Sequence, residues 1–144
     1  MHPVARKKRI FISFDYDHDR KYRHMLSALN ANRDSDIDFY DLTPEEIQSS
    51  DVGRIKAVLT RKIRESTHCL AVIGKHANTR HRDAKDIGTR NWQWWEIQKS
   101  KDEGKGLIAV KIDRSYDAPD PIMNAGAKWA VFTVDSMLRA IQEA

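Results

Sequence analysis

Apolar and polar residues alternate along the chain in blocks that predict strands and helices in turn. Short apolar runs rich in β-branched and aromatic residues predict strands over 9–14, 37–40, 68–73, 107–112 and 129–131 or 132. Between these runs, apolar residues recur at intervals of three and four, which is the spacing of one face of a helix. The predicted order is therefore strand, helix, strand, helix for most of the chain.

The helices are predicted from these intervals and from polar residues that can cap a helix start. Their apolar positions are Tyr22, Met25, Leu26 and Leu29; Val52, Ile55, Leu59 and Ile63; Trp92, Trp94, Trp95 and Ile97; and Met137, Leu138 and Ile141. Asp51 and Asp135 are placed to cap the second and the last helix, since a side-chain oxygen accepts from the unpaired N–H groups there. The sequence Thr43-Pro44-Glu45-Glu46 is a capping box and predicts a further short helix over Pro44–Gln48.

Strands that alternate with helices predict a parallel sheet covered by helices on both faces. Five such units indicate a flavodoxin-like three-layer α/β sandwich with a five-stranded parallel sheet of order 2-1-3-4-5. The sequence contains no repeat and no internal linker. We therefore expect a single domain over residues 9–144, preceded by a basic, disordered tail over residues 1–8.

The composition of the chain argues against disulfide-bonded, membrane-spanning and nucleic-acid-binding proteins. A chain of 144 residues is the usual size of one domain, and its single cysteine, Cys69, excludes an internal disulfide and fits a reducing compartment. No segment approaches the roughly 18 apolar residues of a membrane span, so a cytoplasmic protein without a membrane partner is expected. The net charge of +4 is spread over interleaved acids and bases, which argues against a nucleic-acid partner.

The predicted fold places a binding crevice beyond the carboxyl ends of strands 1 and 3, where the strand order reverses. The candidate substrate-binding residues at these ends are Ser13, Phe14, Asp15, Tyr16, Gly74, Lys75 and His76. The segment from Lys75 to Arg90 is long for a connection and carries five basic against two acidic side chains, Arg80 among them. It suits a phosphate-bearing ligand, although a solvated surface insertion explains the same composition.

Other functions of this architecture are not supported. A phospho-receiver domain needs an aspartate at the end of strand 3, where this chain has Ile73-Gly74-Lys75-His76. Neither a Walker-type GxxxxGK[ST] nor a GxGxxG loop is present. The six histidines and the lone cysteine show no metal-ligand spacing, so no metal site is expected. The aspartates around His18 are better explained as helix-capping residues.

The most distinctive segment is 91–100, which holds three of the four tryptophans and one carboxylate, Glu96. On a helix, Trp92, Trp95 and Glu96 share a face. Glu96 is therefore expected at the edge of a hydrophobic surface, where carboxylates are often functional but also form structural ion pairs. Trp92 is expected in the core.

These segments resemble a Toll/interleukin-1 receptor (TIR) domain. The similarity lies in residues 9–14, in Ala71-Val72-Ile73-Gly74 and in Trp92-x-x-x-Glu96, and it covers about Lys8 to Ile112. The bacterial branch that includes the Thoeris antiphage proteins is more similar still. Its Ser-Asp pair before strand 3 is matched by Ser50-Asp51, and its Trp-x-x-x-Glu-Ile-x-x-Ser run is matched within 92–100.

The resemblance implies an enzyme that cleaves NAD⁺ between nicotinamide and ribose, with Glu96 as the catalytic residue and no cofactor besides the substrate. Phe14 or Tyr16, and Trp95, would pack on the nicotinamide or ribose, and Lys75, His76 or Arg80 would contact the diphosphate. The product would be ADP-ribose or a cyclic isomer, sent to an effector protein. Self-association is also expected.

Two other interpretations remain open at this point. Many TIR domains only assemble with themselves or with a receptor, and Glu96 would then be a buried structural acid. Nucleoside N-glycosidases and deoxyribosyltransferases share the architecture and the use of a glutamate. This sequence also departs from its relatives in the longer and more basic Lys75–Arg90 loop, on which access to the site and hence the product depend.

Overall fold

The computed structural model describes residues 8–31, 37–40, 47 and 49–144. The strands are β1 (Lys8–Ser13), β2 (Ile37–Tyr40), β3 (His68–Ile73), β4 (Gly106–Lys111) and β5 (Lys128–Val131). The helices are α1 (Tyr16–Ala31), α2 (Val52–Glu65), α3 (Ala84–Ile87), α4 (Trp92–Asp102) and α5 (Val134–Glu143), with a 3₁₀ turn at Asp120–Ile122. The short helix predicted over Pro44–Gln48 lies outside the described residues, except for Ile47.

The strands form one sheet in the order β2-β1-β3-β4-β5, and each neighbouring pair is parallel. Helices cover both faces of this sheet, so the predicted α/β class is confirmed. Because the chain places β3 beside β1 on the side away from β2, the strand order reverses between β1 and β3. In a sheet of this kind, the carboxyl ends of those two strands border a crevice.

The hydrophobic core has two parts, one on each face of the sheet. Beneath α1 and α5, the core contains Ile10, Ile12 and Val72, with Leu26 and Met137 from the helices. On the opposite face, alternate residues of the same strands pack against the apolar sides of α2 and α4. Side chains alternate across a strand, so the near-continuous apolar runs of β1 and β3 supply both faces.

Side-chain caps fix the starts of α2 and α5. Asp51 accepts from the Arg54 N–H at the start of α2, as predicted. Thr133, not Asp135, caps α5, and its hydroxyl accepts from the Ser136 N–H. The prediction that Asp135 caps α5 was wrong because the helix begins at Val134. Asp135 therefore lies in the first helical turn, where its negative charge interacts favourably with the helix dipole.

Lys8 belongs to β1 and not to the predicted tail. Its ammonium group donates to the carbonyl oxygens of Ile141 at 2.6 Å and of Gln142 and Ala144 at 3.2 Å. These carbonyls end α5, where a cation is stabilised by the helix dipole. None of the helices in the described part of the chain has the length and apolar character needed to cross a bilayer.

Candidate functional site

The carboxyl end of β1 places Ser13 on the α4 side of the sheet. Ser13 is opposite Ala71 of β3 and is fully buried. Since side chains alternate across the sheet, Ser13 faces α4 as Phe11 does, whereas Phe14 packs into the core beneath α1 and α5. The structure therefore does not bring the predicted site residue Phe14 to the same side as Ser13.

Glu96 extends from α4 to this end of β1. The Ser13 hydroxyl donates to the Glu96 carboxylate, with 2.8 Å between Oγ and Oε1, and Glu96 is only 2% exposed. A buried carboxylate requires compensating donors, and Ser13 supplies one of them. Sequence patterns did not predict this pair, which joins residues 83 positions apart. The pair lies at the carboxyl end of β1, on the α4 side, where the strand order reverses.

Two further side chains hold Glu96 in position. Gln93, one turn earlier on α4, donates from Nε2 to the backbone oxygens of Ser13 at 3.1 Å and Val72 at 2.8 Å. Because both partners are acceptors, they fix the orientation of the amide. Ser100 donates to the backbone oxygen of Glu96 at 2.8 Å. Helix α4 is thereby tied to the ends of two strands at the position of the carboxylate.

The tryptophans of α4 lie on different sides of the helix. Trp92 is buried in the core beneath α2, as predicted, and makes an edge-to-face contact with Trp95 at 5.9 Å between ring centroids. Trp95 packs against the same core, and the Lys56 ammonium of α2 lies 6.0 Å from its ring centroid. The structure thus places Trp95 on the side of α4 that faces α2. Trp94 projects toward the segment that follows β3.

The α1 side of the crevice carries two acids and two histidines, which we call the acid–histidine cluster: Asp15, His18, Asp19 and His76. His18 Nδ1 lies 2.8 Å from Asp15 Oδ2, and the His18 ring stacks on His76 with 3.7 Å between centroids. Asp19 is buried against Gly74, whose missing Cβ leaves room for the carboxylate. The cluster brings together the predicted residues Asp15, Gly74 and His76.

Burial raises the pKa of Asp19, and the Asp15 carboxylate adds to this effect, while His18, His76 and Lys21 oppose it. Asp19 Oδ2 is buried with no hydrogen-bond partner among the described residues, which fits a group whose neutral form is favoured. The charged form of Asp19 is therefore less stable in the folded chain than in the unfolded chain.

A pH dependence of stability follows from this shift. Below the ordinary pKa of 3.8, Asp19 is protonated in both states and contributes nothing to the difference. As pH rises from 3.8 to the raised folded pKa, the unfolded chain loses its proton first and the fold loses stability, and above the folded pKa this loss is constant. We expect the advantage of Asp19→Asn over the wild type, measured by urea unfolding, to grow as the pH is raised above about 4 and then to level off. An advantage that is constant or shrinks with pH would contradict this assignment.

The remaining predicted residues are separated from one another. Tyr16 begins α1, and its side chain lies outside the described residues. Lys75 is exposed just beyond the end of β3. Arg80 lines a cavity of about 400 Å³ beside Trp94. Two further cavities, of about 490 and 480 Å³, also border Trp94, and Glu96 lines none of the three.

The sequence also matches a known family over the region that builds this crevice. The model of the TIR-like domain of the Thoeris protein ThsB matches residues 11–117, well over half of the chain. The chain belongs to this family. The expected resemblance to the Thoeris branch of TIR-like domains is thereby confirmed. No curated protein matches the chain.

Several solved structures are similar to this TIR-like domain at low sequence identity. The CMP N-glycosidase BcmB of Clostridium botulinum is 11% identical, with a TM-score of 0.57 over 95% of this chain and 100% of that chain. A prokaryotic SEFIR domain is 13% identical, with a TM-score of 0.55 over 94% and 88%. A 2-desoxiribosyltransferase from Leishmania mexicana is 18% identical, with a TM-score of 0.49, over 74% of this chain and 65% of that chain. At these identities the first two structures bear on the fold alone.

Cys69 of the TIR-like domain is buried in the core near the amino end of β3 and is not placed for catalysis. Burial raises the pKa of its thiol to about 12, and a hydrogen bond with Ser100 only partly offsets this rise. A thiol with such a pKa is not a nucleophile at neutral pH. Within the described ranges, no three histidine, cysteine, aspartate or glutamate side chains converge as metal ligands do.

Sequence reasoning missed three residues that shape the crevice: His18, Asp19 and Gln93. His18 and Asp19 were interpreted as part of a capping turn, although their spacing along α1 puts both near the acidic residue that precedes the helix. Gln93 lies three positions before Glu96, and this interval alone indicates a shared helix face. Its contacts with β1 and β3 depend on tertiary structure and leave no local signal.

Proposed function

We propose that this TIR-like domain cleaves NAD⁺, releases nicotinamide, and produces ADP-ribose or a cyclic ADP-ribose isomer as a signal in antiphage defence. The observation that carries the proposal is the buried Ser13–Glu96 pair at the switch point of the sheet. Membership of the Thoeris family supports the biological context. NAD⁺ is the substrate in this proposal, and no other cofactor takes part.

One carboxylate is sufficient for this reaction. In glycosidases a second acid protonates the leaving oxygen. The nicotinamide of NAD⁺ is already cationic and departs as a neutral molecule when the bond from ribose C1′ to the ring nitrogen breaks. Positive charge then develops on the ribose, and Glu96 stabilises it electrostatically or as a transient ester. The Ser13 hydroxyl holds one carboxylate oxygen and so orients the other toward the reacting carbon.

The group that captures the ribosyl cation determines the product. Water gives ADP-ribose, whereas an adenine nitrogen or a ribose hydroxyl of the same molecule gives a cyclic nucleotide. In this proposal Asp15, Tyr16 and Gly74 border the nicotinamide riboside, and Lys75 or His76 contacts the diphosphate. An effector protein that recognises the product is the proposed downstream partner.

The proposed function is tested by incubating the full chain with NAD⁺ and measuring products by chromatography with mass spectrometry. The protein is assayed alone and in extract from phage-infected cells, because a defence enzyme can require an activator. Nicotinamide release above that of the extract without the protein supports the proposal, and the accompanying mass distinguishes hydrolysis from cyclisation. No release in either setting contradicts it.

The position of Ser13 leads to a second expected result. Ser13→Ala removes the donor to Glu96, and a hydrogen bond to a charged group contributes about 1.5–3 kcal/mol. We expect kcat to fall about tenfold or more with little change in KM. Ser115→Ala, which removes an exposed hydroxyl that bonds Asp113 in the loop after β4, should leave kcat near that of the wild type. An unchanged kcat in Ser13→Ala would contradict the proposed orientation of Glu96.

A different function, assembly without catalysis, is supported by the surface around β5. Trp129 and Val131 are 46% and 37% exposed on this edge strand, and Val134 and Met123 are 49% and 47% exposed. Exposed apolar residues of this kind occur at protein contacts. Self-association through this edge is compatible with catalysis. It becomes the whole function only if NAD⁺ turnover is absent.

The N-glycosidase alternative rests on the shared fold and on the position of Glu96. The solved CMP N-glycosidase has a similar fold, and fold does not determine substrate. Separate incubations with CMP, with free nucleosides and with NAD⁺ distinguish an N-glycosidase from an NAD⁺-cleaving enzyme. Base release from CMP or a nucleoside, without nicotinamide release, favours the alternative.

A further inference from the structure

Beside Trp94 lies a surface recess, which we call the Trp94 groove. It comprises two adjoining cavities that share Arg90 and Trp94, with volumes of about 400 and 480 Å³. Arg80 and Lys85 line the first cavity, whereas Lys111 lines the second together with two acids, Asp117 and Asp120, so the anion site is assigned to the first. Volumes of this order are typical of small-molecule sites, which measure about 300–1,000 Å³.

The groove is rigid because its loop is tied to the start of α4. The Trp94 indole N–H donates to Asn78 Oδ1 at 2.9 Å, and Arg90 Nη1 donates to the Asn78 backbone oxygen at 3.2 Å. The Asn91 amide donates to the backbone oxygens of Ala77 and Thr79, both at 2.9 Å. Groups fixed in this way lose little conformational entropy when a ligand binds.

The electrostatics of the first cavity favour an anion. Arg80, Lys85 and Arg90 line it, and no carboxylate does. In the part of the chain that the structure describes, neither Arg80 nor Lys85 has an ion-pair partner. Two of the three cations are guanidinium groups, whose planar set of N–H donors matches the oxygens of a phosphate.

The tryptophan adds a second recognition element. Trp94 is partly exposed and borders all three described cavities, so its ring presents apolar surface on more than one side. The Arg90 guanidinium lies 5.3 Å from the ring centroid. An indole beside cations suits a ligand that joins a flat heterocycle to phosphate, since bases stack on aromatic rings and phosphates pair with arginine.

We propose that the Trp94 groove binds a phosphate-bearing nucleotide at a site separate from the Glu96 crevice. Trp94 and Glu96 are two positions apart on α4, and successive helical residues turn by about 100°, so the two side chains point in nearly opposite directions. Glu96 is buried against the end of β1, whereas the groove opens on the opposite flank of α4. This proposal does not depend on NAD⁺ cleavage.

The test is calorimetric titration of the full chain with ADP at low salt. We expect saturable binding that weakens as sodium chloride is raised, because salt screens the exposed cations. Arg80→Gln should weaken ADP binding about tenfold, because it removes roughly one charge-assisted contact with the phosphate. Arg61→Gln, which removes an exposed cation on α2 outside the groove, should bind like the wild type. Lys75→Gln, which removes a cation proposed to contact a diphosphate in the crevice, should also bind ADP like the wild type.

Several results would overturn the proposal. One is the absence of saturable ADP binding, and another is equal affinity in wild type and Arg80→Gln. If adenosine binds as tightly as ADP, the phosphate groups are not recognised. If pyrophosphate binds as tightly as ADP, the heterocycle is not recognised. A loss in Lys75→Gln matching that in Arg80→Gln would place ADP in the crevice. Circular dichroism confirms that each variant is folded.

Discussion

Glu96→Gln is expected to reduce NAD⁺ cleavage by at least about a hundredfold while the fold is retained. The two side chains have nearly the same shape, and glutamine can still accept the Ser13 hydrogen bond through its amide oxygen. A neutral amide, however, cannot stabilise the positive charge that develops on the ribose, nor can it form the ester. Nicotinamide release measured by mass spectrometry, with the same activator as the wild type, provides the comparison.

The matched control for Glu96→Gln is the same replacement at a second glutamate, Glu103, at the end of α4. Glu103 follows the last turn of α4, where Arg64 Nε lies 2.7 Å from its carboxylate, and this hydrogen bond lowers the pKa of Glu103. Glu103→Gln removes a surface ion pair, which contributes little to stability, and should retain wild-type turnover. Equal turnover in wild type and Glu96→Gln would disprove the catalytic role of Glu96, and the assembly interpretation would then be preferred.

Gly74→Ala is expected to destabilise the fold by about 1–3 kcal/mol. A Cβ at position 74 would overlap the Asp19 carboxylate, and its distance to Asp19 Cγ would be only 2.6 Å. Asp19 is 5% exposed and stands among the other side chains of the acid–histidine cluster, so it has little space into which to turn. Urea unfolding monitored by tryptophan fluorescence measures the loss.

Removal of the Asp19 carboxylate tests whether its overlap with the new Cβ causes the destabilisation in Gly74→Ala. In an Asp19→Ala background, Gly74→Ala should cost much less, because the methyl group then occupies the space left by the carboxylate. The four proteins form a double-mutant cycle, and contacting residues show coupling of about 0.5–3 kcal/mol. An equal cost in both backgrounds would show that the backbone at residue 74, not the contact with Asp19, requires glycine.

The strands and most helices could be predicted because their signals are local. The run 68–73 is apolar and bounded by polar residues and glycine, and its predicted limits match those of β3. Asp51 was recognised as a cap because its side chain bonds an N–H only three residues away. The limits of β1 and β4 each moved by one residue, since pairing with a neighbouring strand decides where a strand ends.

The site could be predicted only in part. Glu96 was identified from its position among tryptophans on one helix and from the family resemblance. Phe14 and Trp95 were expected beside it because they are aromatic and close in sequence to site residues. The structure places Phe14 in the core on the opposite face of the sheet and Trp95 against α2. Proximity in sequence does not determine which side of an element a residue faces.

The sequence by itself determined the α/β class and the order of the strands and of most helices. These depend on periodicity, capping and composition, which act over a few residues. Only the tertiary structure decided that Ser13 donates to Glu96, that Asp19 packs on Gly74, and that Arg80 lies beside Trp94. Each of these contacts joins separate elements, and its geometry is set by sheet register and helix packing, which no local pattern encodes.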